Sequence, residues 1–307
     1  MRKGVFAEYP PMFHLLLLFV LVILSAIFVS MLGLALAIPF TGWDPVMAIS
    51  RGDATLWMYR YVQLVQSFAV FIVPSLLAAR LFSHFPINWL WFGSAKFRLM
   101  FLSVLLILAA QPLSSWLAEV NTRLVLPPSM EGIENWMKSA EASAGNMIFR
   151  FLDTQNVGII LFNIFLMAIL PGIGEELLFR GAIQPTVQRI VNNKHAAVWF
   201  TAFLFSAMHM QFLTFAPRFI LGALLGYMLV YGKSIWYPIV AHFFNNFMAL
   251  MLFYYLRTTK PEINPLDAST GSYDGWLTVG SFVVVVGLLI MFRYNSPKNN
   301  KVGNILS

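Results

Sequence analysis

The chain has 307 residues, of which 59% are hydrophobic and only 11% charged, with a net charge of +7 and no cysteine. Soluble domains carry roughly a quarter charged residues. A water-soluble fold of this length could not hide so much apolar side chain, so the composition excludes one and makes lipid the solvent. Without cysteine there are no disulfides, thiolate metal sites, thiol nucleophile or lipidation on sulfur. Membrane lipid is the expected surrounding, and nothing points to a nucleic-acid partner.

A spanning helix needs about 20 mostly apolar residues. Eight such segments are expected, in an all-α polytopic transmembrane helical bundle: 13–38, 62–82, 99–120, 157–178, 196–209, 218–231, 235–256 and 276–292. The fifth and sixth are short for a full span. The first apolar run, about 12–40, is longer than the apolar part of a signal peptide, typically about 7–15 residues. It is therefore read as a retained helix, although Ala35-Leu36-Ala37 resembles a cleavage site.

The chain divides into three spans plus an outer loop (121–156) over residues 1–156, a four-span core over 157–256, and a last span with a polar tail over 257–307. Within the outer loop, residues 131–144 have helical composition after Pro127-Pro128 and are expected to form an amphipathic surface helix; a plain solvated connector is the alternative. The tail 295–307 is polar and expected to lack fixed structure.

Placing the N-terminus and the C-terminus in the cytoplasm puts 12 basic residues inside (Arg2, Lys3, Arg80, Lys96, Arg98, Arg180, Arg189, Lys194, Lys233, Arg293, Lys298, Lys301). It leaves 8 outside (Arg51, Arg60, Arg123, Lys138, Arg150, Arg218, Arg257, Lys260), a bias in the expected direction. Multi-pass insertion in a bacterial plasma membrane is the expected location.

Ionisable groups within spans are costly and mark function by default. Here they form a short list in the second half of the chain. The first group is Pro171-Gly172-Ile173-Gly174-Glu175-Glu176-Leu177-Leu178-Phe179-Arg180. Glu176 and Arg180 are four apart on one helix face and can neutralise each other, while Glu175, rotated about 100° away, is left free. The same residues could instead mark a wetted helix end. The second group ends on His209, with Phe205 one turn earlier on the same face, placed to pack over the imidazole. A lone histidine of this kind is often only bonded to a backbone carbonyl. The third group is His242 and Asn246, four apart, which could cradle an oxygen gaining negative charge or simply clamp two helices.

Taken together, a free carboxylate, two histidines and an asparagine on three helices are the parts needed to activate a water and stabilise a tetrahedral oxyanion. Their depth is a difficulty. Glu175 and Arg180 fall near one end of the fourth span, and His209 near the opposite end of a short fifth. Either the fifth helix is tilted and broken, or the fourth runs on past Arg180 towards Pro185.

Glu-Glu-x-x-x-Arg, Phe-x-x-x-His and His-x-x-x-Asn, in this order on successive helices, resemble the CAAX-processing and bacteriocin-processing (CPBP) family of intramembrane proteases. The resemblance covers about 157–256. It implies an intramembrane endopeptidase acting on a membrane-associated peptide or protein, lipidated or plain. Glu175 would be the catalytic glutamate and His209 its partner in activating water. Glu176 and Arg180 would be the supporting pair, and His242 and Asn246 would stabilise the oxyanion. The family is often labelled metalloproteases, and Glu175, His209 and His242 could supply a carboxylate and two imidazoles to zinc. The His-Glu-x-x-His helix of zinc proteases is absent, and the metal-free mechanism, with no cofactor, is favoured. A non-enzymatic immunity or membrane-interaction protein of the same fold is the main rival. A proton-coupled transporter comes last, since neither inverted repeats nor paired broken helices are visible.

Overall fold

The computed structural model describes residues 4–123, 126–260 and 275–297. Among these the chain is helical without strands, as an all-α membrane bundle requires. Arg2, Lys3, Lys298, Lys301 and the tail beyond 297 lie outside the described residues.

The helices are α1 (Pro11–Thr41), α2 (Trp43–Arg51), α3 (Leu56–Phe82), α4 (Phe97–Thr122), α5 (Glu131–Leu152), α6 (Val157–Val191), α7 (Lys194–Met208), α8 (Phe215–Gly232), α9 (Trp236–Thr259) and α10 (Gly275–Asn295). Seven of them, α1, α3, α4, α6, α8, α9 and α10, are long and apolar enough to cross a membrane. The chain is an integral, multi-pass membrane protein. The expected fifth span, α7, has 15 residues. At 1.5 Å per residue it is about 22 Å long, short of the ~30 Å hydrocarbon core.

Capping residues set several starts. Thr55 accepts from Met58 N at the head of α3, and Asn156 Oδ1 accepts from Ile159 N at the head of α6. Asn193 Oδ1 accepts from His195 N and Ala196 N at the head of α7. Each satisfies amide donors that the first helical turn leaves without partners.

Three prolines shape the interior helices in the same way. Pro74, Pro171 and Pro185 each follow a π-helical segment: Phe68–Ile72, Phe165–Ile169 and Leu177–Ile183. Proline supplies no N–H and crowds the carbonyl four residues back. The preceding turn widens, so that Val73 N reaches Phe68 O, Leu170 N reaches Phe165 O and Gln184 N reaches Phe179 O, each five residues back. This explains the largest departure from the expected boundaries. The fourth span does not end at residue 178. It continues through Pro185 to Val191, because the wide turn absorbs the proline. At Pro112 of α4 a different repair operates: Ser281 of α10 accepts from Leu113 N and donates to Ala109 O.

The long helix α6 is the centre of the bundle. Its second half (Leu177, Leu178, Phe179, Ile183, Val187) packs with Leu18 of α1 and Ala78, Ala79 and Phe82 of α3. On another side, α4, α8, α9 and α10 share a separate core around Leu106, Leu225, Tyr237 and Phe292. At Gly172 α6 and α9 approach closely: a Cβ there would lie 3.1 Å from Phe243 N and 3.2 Å from Phe243 Cα.

The outer-loop helix, expected over 131–144, runs as α5 to Leu152. Its Phe151 and Leu152 are buried against the bundle, which explains the extra two turns. At its other end Glu134 accepts from Lys138 Nζ, and this ammonium holds its carboxyl below the usual carboxylate range.

The expectation that ionisable groups within spans fall only in the second half of the chain is corrected at two places. His14 is buried in α1 with its Nε2 2.7 Å from Phe6 O. Arg60, counted above among the outer loop charges, lies inside α3 at 3% exposure and donates to Asn163 Oδ1 and Phe151 O. Its helix starts six residues before the apolar window does. Arg180, counted among the inner loop charges, is likewise fully buried in α6.

Candidate functional site

The continuous α6 resolves the depth difficulty. Glu175 is near the middle of 35 residues rather than at a helix end, and the short α7 delivers His209 from the other direction at its own C-terminus. The second of the two ways out considered above, a fourth helix running on past Arg180, is the one observed.

Glu176 and Arg180 are both fully buried, with Arg180 Nη1 2.7 Å from Glu176 Oε1. The same carboxylate oxygen lies 2.8 Å from His242 Nδ1. Arg180 Nη2 donates to Gly222 O at 3.0 Å, and one turn on Gln184 Nε2 donates to Gly226 O at 3.1 Å. Two rungs four residues apart thus tie α6 to α8. Glycine at 226 leaves room for the second rung, since a Cβ there would sit 2.8 Å from Gln184 Oε1, and glycine at 222 lets α7 close on α8, with a Cβ 3.2 Å from Ala202 Cα. Phe205 lies at the hub: its ring centroid is 5.0 Å from that of His209 and 5.7 Å from that of His242, and the Arg180 guanidinium is 4.5 Å from it.

The partners of each imidazole assign its tautomer. Glu176 is paired with Arg180 and accepts, so His242 Nδ1 carries a hydrogen, and in the neutral ring its Nε2 presents a lone pair. His209 Nδ1 lies 2.8 Å from Phe205 O, a carbonyl that can only accept, so its Nε2 is also a lone pair. Both lone pairs face Glu175, whose Oε2 is 3.8 Å from His209 Nε2 and 4.0 Å from His242 Nε2. Oε2 is buried with no hydrogen-bond partner among the described residues. These distances are too long for direct hydrogen bonds; a water between the groups could donate to two of the three acceptors.

The donor types would also suit zinc. Two ligands at about 2.0–2.1 Å on tetrahedral directions lie about 3.3 Å apart, closer than either distance here. Among the described residues no group of three His, Cys, Asp or Glu meets a metal-holding arrangement. The side chains as arranged do not fit the ion.

Asn246 stands one turn beyond His242 on α9. The hydrogen bond found for it is with Asn245, whose Nδ2 donates to Asn246 Oδ1 at 3.3 Å. This leaves the Asn246 amide hydrogens available for an oxyanion. Asn245 Oδ1 in turn accepts from Gln111 Nε2 at 3.3 Å. Gln111 of α4 was not singled out in the sequence; a lone glutamine beside a proline carries no signal there. Arg218, on the first turn of α8, was read as a loop charge. It donates to Thr214 Oγ1 at 2.6 Å and to the Gln211 side chain, and is within electrostatic reach of Glu175.

Residues 157–248 match the family model described as type II CAAX prenyl endopeptidase Rce1-like. The matched segment contains Glu175, Glu176, Arg180, Phe205, His209, His242 and Asn246, consistent with the CPBP/CAAX protease family. The match covers under a third of the chain, and what that segment is similar to is a CAAX-type membrane protease, a hydrolase. No curated protein and no solved structure matches the chain.

Proposed function

From the family of the core segment and the geometry around Glu175, we propose that this protein is an intramembrane endopeptidase that hydrolyses a peptide bond of a membrane-anchored peptide or protein. The observation that carries the reading is the position of Glu175 Oε2, unpartnered between the Nε2 lone pairs of His209 and His242.

In this reading a water donates one hydrogen to Glu175 and the other to His209. Its oxygen attacks the scissile carbonyl as Glu175 takes the proton, and that proton later passes to the leaving amine. The carbonyl oxygen, now negative, accepts from the Asn246 amide. His242, held through Nδ1 by Glu176, stands beside the same oxygen and fixes the wall of the site against which it forms. Arg180 donates to the same Glu176 oxygen and holds that carboxylate in place. Each step uses groups of this chain, and no metal takes part. The substrate is held by a membrane anchor, and both termini of the enzyme lie on the cytoplasmic side of a bacterial plasma membrane.

The test is cleavage by the purified protein in nanodiscs, with prenylated and plain peptides ending in CAAX-type sequences, comparing wild type with Glu175→Ala. Cleavage by wild type and its loss in the variant is the expected result. Equal cleavage by both would remove Glu175 as the base. Absence of cleavage by wild type on every peptide would favour the non-enzymatic protein of the same fold.

A further inference from the structure

The segment joining α7 to α8, residues 209–214, begins with His209 and is held from outside the family segment. Met210 adopts φ +53°, a left-handed conformation that a non-glycine residue keeps only under constraint. The constraint comes from two helices. Asn121, at the end of α4, donates from Nδ2 to Phe212 O at 2.7 Å and accepts at Oδ1 from Ala216 N at 3.0 Å. Glu141 of α5 accepts from Leu213 N at 3.2 Å through Oε2 and from Thr214 Oγ1 at 3.4 Å through Oε1. Trp136, five residues earlier on α5, packs on Phe212 with ring centroids 5.3 Å apart.

Thr214 Oγ1 also accepts from Arg218, whose other contacts are to Gln211. Glu141 thus closes a network running through Thr214 and Arg218 to Gln211, two residues from His209. Glu141 and Glu175 are both within electrostatic reach of Arg218.

We propose that Glu141 is a positioning residue for His209, and that α5 serves the reaction by holding the 209–214 turn in its strained form. This rests on the endopeptidase reading for its catalytic consequence. The structural part stands apart from it. His209 is fixed on one side by its own bond to Phe205 O. The other side, the backbone leaving the ring, is fixed by Glu141 and Asn121. Releasing Leu213 N and Thr214 lets Met210 relax to a negative φ and swings the His209 Nε2 lone pair relative to Glu175. A displacement of about 1 Å at such a site costs on the order of 100-fold in rate.

The experiment compares wild type, Glu141→Ala and Glu141→Gln in nanodiscs by two readouts, with the melting temperature of each protein measured beside them. The first is kcat and KM on a cleaved peptide. The second is the ring 15N resonances of His209, read in protein labelled at its five histidines. Glu141→Gln keeps an acceptor oxygen, so it is the conservative rescue. Expected are a 10- to 100-fold lower kcat for Glu141→Ala with KM within about twofold, moved His209 resonances in that variant alone, and near-wild-type behaviour of Glu141→Gln. Unmoved His209 resonances in Glu141→Ala would overturn the proposal, as would moved resonances with an unchanged kcat. A fall in kcat that tracks a fall in melting temperature, equally in both variants, would show a purely structural role and also overturn it. If wild type cleaves nothing, the endopeptidase reading fails, and the resonances still decide whether Glu141 positions His209.

Discussion

His242 reaches Glu176 through Nδ1 at 2.8 Å, and in the neutral ring this contact makes its other nitrogen, 4.0 Å from Glu175 Oε2, a lone pair. Glu176 is therefore two things at once: the buried counter-ion of Arg180 and the group that sets the tautomer of a site histidine.

The two roles separate by mutation. Glu176→Leu leaves Arg180 buried without its counter-ion, and a change of that kind costs about 3–5 kcal/mol of stability. Replacing both members, Glu176→Leu with Arg180→Leu, removes the stranded charge and restores most of that stability. The double variant still lacks the acceptor for His242 Nδ1–H, so its cleavage activity stays at least ~100-fold below wild type. Thermal unfolding in detergent and peptide cleavage, measured on the same preparations, check this. A double variant that regains both stability and activity would reduce Glu176 to a structural counter-ion.

Gly172 offers a test of distance rather than chemistry. A methyl group at this position meets backbone atoms of Phe243, the residue after His242, at 3.1–3.2 Å. Backbone cannot step aside as a flexible side chain does, so Gly172→Ala moves α9 outward by a few tenths of an ångström. Overpacking of this kind costs about 1–3 kcal/mol. Because His242 and Asn246 ride on α9 and Glu175 on α6, kcat should fall roughly 3- to 10-fold with little change in KM. Gly132, with nothing within 4 Å of an added Cβ, is the control at which Ala should be neutral.

The contrast between these residues shows what a sequence can disclose here. Membrane helices follow from apolar length, because lipid imposes one requirement on every segment. Glu176 and Arg180 are legible as a pair because helical spacing alone brings them together, and Phe205 over His209 for the same reason. His242 reaching Glu176 is not legible, since it depends on how α6 and α9 pack. Gln111, Glu141 and Asn121 come from helices with no motif, and their roles exist only through contacts of long sequence separation. The end of α6 lies beyond the expected residue 178 because the apolar run stops before Arg180, whereas the buried pairing of Arg180 with Glu176 and the wide turn at Leu177–Ile183 carry the helix on through Pro185.

Arg60 should matter for stability and little for catalysis. It is buried without a carboxylate partner among the described residues, donating to Asn163 Oδ1 and Phe151 O, with its guanidinium 5.4 Å from the Trp57 ring centroid and 5.1 Å from that of Phe151. Asn163 Nδ2 donates to the same Phe151 carbonyl and to Tyr254 Oη. The cluster therefore pins the end of α5 to α3, α6 and α9. Arg60→Ala removes two buried hydrogen bonds and leaves Asn163 Oδ1 without that donor, a loss of about 2–4 kcal/mol. Asn163 lies twelve residues before Glu175 on one helix, about 18 Å away, so kcat of the folded fraction should stay within about threefold of wild type. A fall in kcat as large as that of Glu175→Ala would mean that the cluster and the site are coupled.

Metal removal tests the chemistry assigned to Glu175. With Glu175 Oε2 at 3.8 and 4.0 Å from the two Nε2 atoms, the carboxylate stands too far from both imidazoles to join them on one zinc ion without moving. Cleavage should therefore survive prolonged dialysis against a strong chelator, within about twofold, and zinc bound to the purified protein should be well below one equivalent by elemental analysis. Glu175→Gln keeps the shape of the side chain and removes its basicity, so it should lower kcat by about 100- to 10,000-fold, whether or not chelator is present. Activity lost to chelator and restored by added zinc would mean that Glu175, His209 and His242 close on an ion in the working enzyme, and Glu175 would then be a ligand rather than the base.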